Sequence, residues 1–118
     1  MRKELESRLI NLCVGINKLV NGLPKSVLND NLGEQLIRSA TSAALNYGEA
    51  QGAESKNDFI HKTSIVLKEL RESGISLRIF HQSGITSKQI NIDGLVDECN
   101  QLTAIFQKTV NTARNNKK

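Results

Sequence analysis

At 118 residues the chain has the length of one domain, large enough to bury roughly two-thirds of its unfolded surface in a single core without disulfide or metal support. Hydrophobic residues make up 38% and charged residues 24%, and no apolar run approaches the roughly 18 residues that a membrane span requires, which excludes membrane insertion. The net charge of +4 and isoelectric point near 9.3 are mildly basic, compatible with nucleic-acid contact and common among proteins that touch none.

The N-terminus is charged from Arg2 onward and lacks the apolar segment and small-residue cleavage site of a signal peptide, so a cytoplasmic location is expected. Leu5, Leu9, Leu12, Ile16 and Leu19 recur at alternating steps of four and three, the spacing of one apolar stripe on a helix over about 4–22. Glu4 is placed to pair with Arg8 one turn later. Asn21-Gly22 supplies stop chemistry, and Pro24, which has no amide hydrogen to donate, bars continuation.

Lys25–Asp30 reads as a polar connector. Asn31, with Glu34 three residues on, reads as the N-cap and capping-box partner of a second helix over about 32–51, ended by Gly52. Gly48 inside it costs roughly 1 kcal/mol relative to alanine, which suggests a close approach by another backbone. Ser55 and Asp58 open a third helix over about 56–82, with the stripe Phe59, Thr63, Val66, Leu70, Ser73, Leu77 and Phe80, a bend expected at Gly74 and a turn at Gly84. Thr86 and Ser87 are rival N-caps for a fourth helix over about 87–113, Gln89 favouring Thr86; its stripe is Ile92, Leu95, Cys99, Leu102, Phe106 and Val110.

Four amphipathic helices joined by short connections predict an all-α, antiparallel up-down-up-down four-helix bundle. Aromatic residues are 3% of the chain, so the core must be built from Leu, Ile, Val and Ala. The topology gathers Arg2, Lys3, Arg8, Lys56, Arg114, Lys117 and Lys118 at one end of the rod, either as a solvated tip or as a surface for nucleic-acid phosphates.

Catalytic chemistry finds little purchase: there is no Gly-rich phosphate loop and no nucleophile elbow. His61 and His81, on one helix and twenty residues apart, are separated by about 30 Å at 1.5 Å per residue and cannot share a metal or act as an acid-base pair. Glu49, Glu69 and Glu72 lack the following histidine of a di-metal bundle site, and Glu69 and Glu72 lie beside Lys68 and Arg71, which suits a solvated or interface salt-bridge face rather than a metal cage. Cys13 and Cys99 sit inside apolar-periodic segments and read as buried small hydrophobes. No enzyme activity, metal or cofactor is expected.

The second helix carries two faces that can both be packed. Ala40, Ala43, Tyr47 and Ala50 line one, for the bundle core; Arg38, Ser42, Leu45 and Glu49 line the other, with Asn46 and Gly48 nearby. The outer face is either solvated or a subunit interface, and its small residues favour the interface, because an ordinary solvated face gains helix propensity from Lys, Gln or Glu.

The run Gln35-Leu36-Ile37-Arg38-Ser39-Ala40-Thr41-Ser42, followed by Asn46-Tyr47-Gly48-Glu49-Ala50, Ala53-Glu54-Ser55-Lys56-Asn57-Asp58-Phe59-Ile60-His61-Lys62 and Leu67-Lys68-Glu69-Leu70-Arg71-Glu72-Ser73, resembles the bacterial four-helix bundle proteins, also called 23S rRNA intervening-sequence proteins. The likeness covers all four helices in layout and is specific from about Leu32 to Phe80. It implies a bundle assembled into a ring-like homopentamer without enzymatic activity. It also implies contact with RNA or DNA or with a protein encoded nearby, since members occur in 23S rRNA gene insertions and a related branch serves diversity-generating retroelements. The sequence departs from the pattern at Gly74-Ile75-Ser76, where relatives carry an aromatic pair.

Overall fold

A computed structural model describes residues 2–85 and 90–116, and helices account for most of them: α1 (Arg2–Asn21), α2 (Val27–Gln51), α3 (Lys56–Gln82) and α4 (Ile92–Asn115). Each packs on its neighbours in sequence, and α4 closes the ring against α1, giving a rod of 50 × 23 × 20 Å. The cross-helix contacts fix the antiparallel order. Gln51 Nε2 donates to Glu6 Oε2 at 3.0 Å, Ser39 and Ser73 share a hydrogen bond of 2.8 Å, and Cys99 Sγ donates to the Leu70 carbonyl at 3.3 Å. The expected all-α up-down-up-down bundle is what forms.

Capping decides where the helices begin. Ser55, extended at φ −149°, accepts from the Asp58 amide at 3.0 Å and opens α3 as expected. The expected start of the second helix at Leu32 is incorrect: Ser26 is the N-cap, its hydroxyl accepting from the Asn29 amide at 3.0 Å, and the helix starts at Val27. Asn31 lies inside the helix, where its side chain accepts from Gln35 Nε2. The added turn buries almost nothing, Val27 being 88% exposed, so no apolar stripe announces it. The fourth helix also starts later than expected, at Ile92 with Asn91 as N-cap accepting from the Gly94 amide at 3.0 Å; the rival caps Thr86 and Ser87, and Gln89, lie outside the described residues.

Helix ends follow the sequence more closely. The Gly22 amide bonds back to Lys18 and Leu19 carbonyls just before Pro24. Gly84 takes the left-handed φ of 76°, its amide bonding to the His81 carbonyl and that of Ile85 to the Phe80 carbonyl, the paired bonds of a Schellman motif.

The stripes converge as their spacing requires. Leu9, Leu12, Ile16 and Leu19 of α1 meet Leu36, Ala40, Ala43 and Tyr47 of α2, Val66, Leu70, Leu77 and Phe80 of α3, and Cys99, Leu102, Phe106 and Val110 of α4. Tyr47 and Phe106 meet edge to face with ring centroids 5.2 Å apart. Phe59, assigned to the core stripe, is half-buried near the end of the rod. The close approaches fall at other glycines than expected. A Cβ on Gly33 would sit 2.9 Å from Val20 Cγ1, whereas a Cβ on Gly48 would meet nothing within 4 Å. Gly48 therefore faces outward within the protomer. Gly74 is buried against the Cys99 sulfur within an unbroken α3.

Candidate functional site

The outer face of α2 is laid out as its periodicity predicts. Leu45 stands 68% exposed at its centre, with Arg38, Gly48 and Glu49 exposed and Ser42 and Asn46 half-buried at its edges. The two opposite charges that flank Leu45 on this face are engaged separately. Arg38 pairs with Glu34 one turn earlier, while the Glu49 carboxylate accepts from Lys62 Nζ of α3 at 2.8 Å. That hydrogen bond raises the Lys62 ammonium above its ordinary value. Asn46 Nδ2 donates to the Ser42 carbonyl at 2.9 Å and to its hydroxyl at 3.1 Å, so the polar rim of Leu45 is satisfied within the helix.

The starts of α1 and α3 and the ends of α2 and α4 share one tip of the rod, carrying Arg2, Lys3, Lys56 and Arg114; Lys117 and Lys118 lie outside the described residues. Arg2 and Lys3 are exposed. Lys56 Nζ donates to the Asn116 carbonyl at 2.9 Å, and Arg114 Nη2 reaches the Ser64 hydroxyl at 3.4 Å. Arg8 is drawn away from this group and from Glu4, its expected partner. Its Nε and Nη2 donate to the two carboxylate oxygens of Glu98 at 2.8 and 2.7 Å, with Gln101 Oε1 a further acceptor at 3.2 Å. A fork matching both oxygens outcompetes a single contact along the helix. Glu4, Glu6, Glu54 and Asp58 occupy the same tip, so its basic character is interleaved with acid.

Exposed apolar residues lie on either side of α2 and were not singled out by the core stripes. Ile10 and Val14, one turn apart on α1, are each 48% exposed beside half-buried Ile37. Ile75 and Ile79, one turn apart on α3, border a shallow hollow with Leu32. The signal that marks them is an apolar i, i+4 pair off the buried stripe.

The groups with chemical potential are mostly quenched or dispersed. Cys99 is fully buried, and burial pushes its thiol up to about 11. Cys13, expected to be buried, is half-buried; its Sγ donates to the Ala40 carbonyl at 3.2 Å and burial raises its thiol too. His61 and His81 are exposed, His81 facing Asp93 across α3 and α4. Lys68, Arg71 and Glu72 are exposed, as on a solvated face; within the protomer Arg71 donates to Gln107, and among the described residues neither Glu69 nor Glu72 has a cation within 4.0 Å. A hydrogen bond shared with Glu69 raises the Glu72 carboxyl instead. Among the described residues no three His, Cys, Asp or Glu side chains gather in a metal-binding set, and no helix is long and apolar enough to cross a membrane.

Comparison with known proteins gives a consistent picture. The family model described as 23S rRNA-intervening sequence protein matches residues 4–108. Among solved structures, a protein of unknown function from the S23 ribosomal protein family of Bacteroides thetaiotaomicron VPI-5482 is 26% identical, with a TM-score of 0.75 over 90% of this chain and 97% of that one. A search of curated proteins gives no match. With the family match reaching into all four helices, the chain belongs to the 23S rRNA-intervening sequence protein family.

Proposed function

We propose that this protein is a non-enzymatic helical scaffold, a homo-oligomer with five members as the family resemblance implies, which offers its basic tip to the backbone of RNA or DNA. The outer face of α2 carries the assembly reading. Leu45, 68% exposed, is ringed by small residues, and the open space above Gly48 leaves room for another chain to approach. Light scattering on purified protein should give a multiple of the 13.0 kDa protomer mass. Leu45→Glu should reduce it to the protomer while helical circular dichroism is retained, because the substitution leaves the alanine core face untouched. A monomeric wild type, or a Leu45→Glu protein of undiminished mass, rejects this interface.

The backbone-binding half of the reading rests on the cations of the tip and predicts binding to structured RNA or duplex DNA that weakens steeply with added salt. A fluorescence titration at low salt that detects no binding removes it. The interleaved acids and the apolar pairs Ile10, Val14 and Ile75, Ile79 favour a second reading, an adaptor for a protein partner without nucleic acid. Recovery of one specific protein on the immobilised oligomer, persisting after nuclease treatment, selects that reading.

A further inference from the structure

The tip of the bundle holds a cavity of about 330 Å³ to which all four helices contribute. Tyr47 and Phe106, packed edge to face at 81°, form part of its wall with Leu5 and half-buried Phe59. Tyr47 is only 5% exposed, yet among the described residues its hydroxyl has no hydrogen-bond partner. No fully enclosed polar side-chain atom is left unpaired among those residues, so this hydroxyl retains accessible surface, and the space that Tyr47 borders is the cavity. Burial raises the phenol above its ordinary value, so it stays protonated and can donate. Arg2 stands at the rim, exposed and without a carboxylate within 4.0 Å among the described residues. The nearby acid, Glu6, is held by Gln51 Nε2 at 3.0 Å.

We propose that this cavity is a binding site for a flat aromatic ring bearing an anionic group, with the ring against Phe59, an acceptor oxygen on the Tyr47 hydroxyl and the anion at Arg2. An aliphatic occupant would leave the phenol unpaired once water is displaced, and a cationic one would meet the Arg2 charge. Aromatic walls favour a ring that can meet them edge to face. The volume is several times the roughly 30 Å³ that one water takes in the liquid. A nucleotide and an aromatic carboxylate share this chemistry. The site stands on the cavity and Tyr47, independently of the scaffold reading.

Tyr47 is the sole tyrosine and the chain has no tryptophan, so near-ultraviolet emission reports on this cavity alone. Uridine monophosphate and benzoate, each titrated into the full-length protein with correction for absorbance, are the probes, and amide NMR shifts at Ser55, Phe59 and Thr109 provide a second readout. At least one probe should give saturable changes in both; the responding probe identifies the source of the ring. Tyr47→Phe, followed by NMR, and Arg2→Gln should each weaken binding about tenfold with circular dichroism unchanged, as expected for loss of a hydrogen bond to a charged group. No saturable response to either probe at millimolar concentration, or equal affinity in both variants, overturns the site. Salt-sensitive RNA binding by a protein that takes up neither probe removes the site while sparing the scaffold reading; probe uptake by a protein that binds no RNA does the reverse.

Discussion

Cys99 is enclosed by α3 and α4, its sulfur donating to the Leu70 carbonyl and resting 3.7 Å from where a Gly74 side chain would begin. Burial moves the thiol from 9.0 to about 11, so the folded protein holds this proton more tightly than the unfolded chain. The associated stability is fully present below pH 9 and lost as pH rises toward 11; at 1.36 kcal/mol per unit it amounts to about 2 to 3 kcal/mol. Urea unfolding across that window should show a steep alkaline loss that is shallower in Cys99→Ala, and equal slopes would contradict the assignment. The buried status of Cys99 and Tyr47 was readable from spacing alone, because each falls on an apolar stripe. Ser39 was not: it flanks the alanine face of α2 rather than lying on it, and its partner Ser73 is 34 residues away. Ser73→Val removes this bond but leaves the Ser39 hydroxyl the Leu36 carbonyl as acceptor at 3.2 Å, so urea unfolding should show a loss of only roughly 0.5 to 1.5 kcal/mol, that of one ordinary hydrogen bond.

At the scale of the helix, α2 shows which part of a boundary burial reveals and which it does not. Its core face, Leu36, Ala40, Ala43, Tyr47 and Ala50, follows from 3.6-residue periodicity. Its first turn does not, because Val27 and Leu28 are largely exposed and polar contacts hold the turn in place: the Ser26 hydroxyl accepts from the Asn29 amide, and Asn29 Nδ2 donates to the Pro24 carbonyl at 2.9 Å. Ser26→Ala should lower stability by about 1 kcal/mol, and Asn31→Ala, on a solvated mid-helix turn, by no more than about 0.5 kcal/mol. Urea midpoints separate the two, and equal losses would restore Asn31 as the cap. Gly48 tests the opposite face. Its absent Cβ would meet nothing within 4 Å, so Gly48→Ala in the Leu45→Glu background, where assembly is removed, should gain up to about 1 kcal/mol from helix propensity. In the assembled protein the same methyl group should weaken association, because it fills the space a neighbouring chain would use.

The whole bundle decides which cations are free to act at its tip. Chain order alone places Arg2, Lys3, Arg8, Lys56 and Arg114 in the half of the rod containing that tip, but it gives no account of how α1 is rotated against α4. That rotation puts Glu98, ninety residues from Arg8, opposite its guanidinium. Arg8 is thereby a clamp across the α1–α4 seam, beside an apolar groove of about 540 Å³, and Arg2 and Lys3 are left as the free cations at the start of α1. Under the scaffold reading the two kinds of cation should separate in one experiment. Removing a phosphate-contacting cation flattens the plot of log affinity against log salt by about 0.7 to 0.9. Arg2→Gln and Lys3→Gln should each do so with stability unchanged. Arg8→Gln should leave the slope as it is and lower stability on the order of 1 kcal/mol, since the Glu98 carboxylate loses a two-pronged partner at a half-buried seam. A reduced slope in Arg8→Gln would mean that the clamp opens when the backbone binds. An unchanged slope in all three variants would move any nucleic-acid contact away from the start of α1.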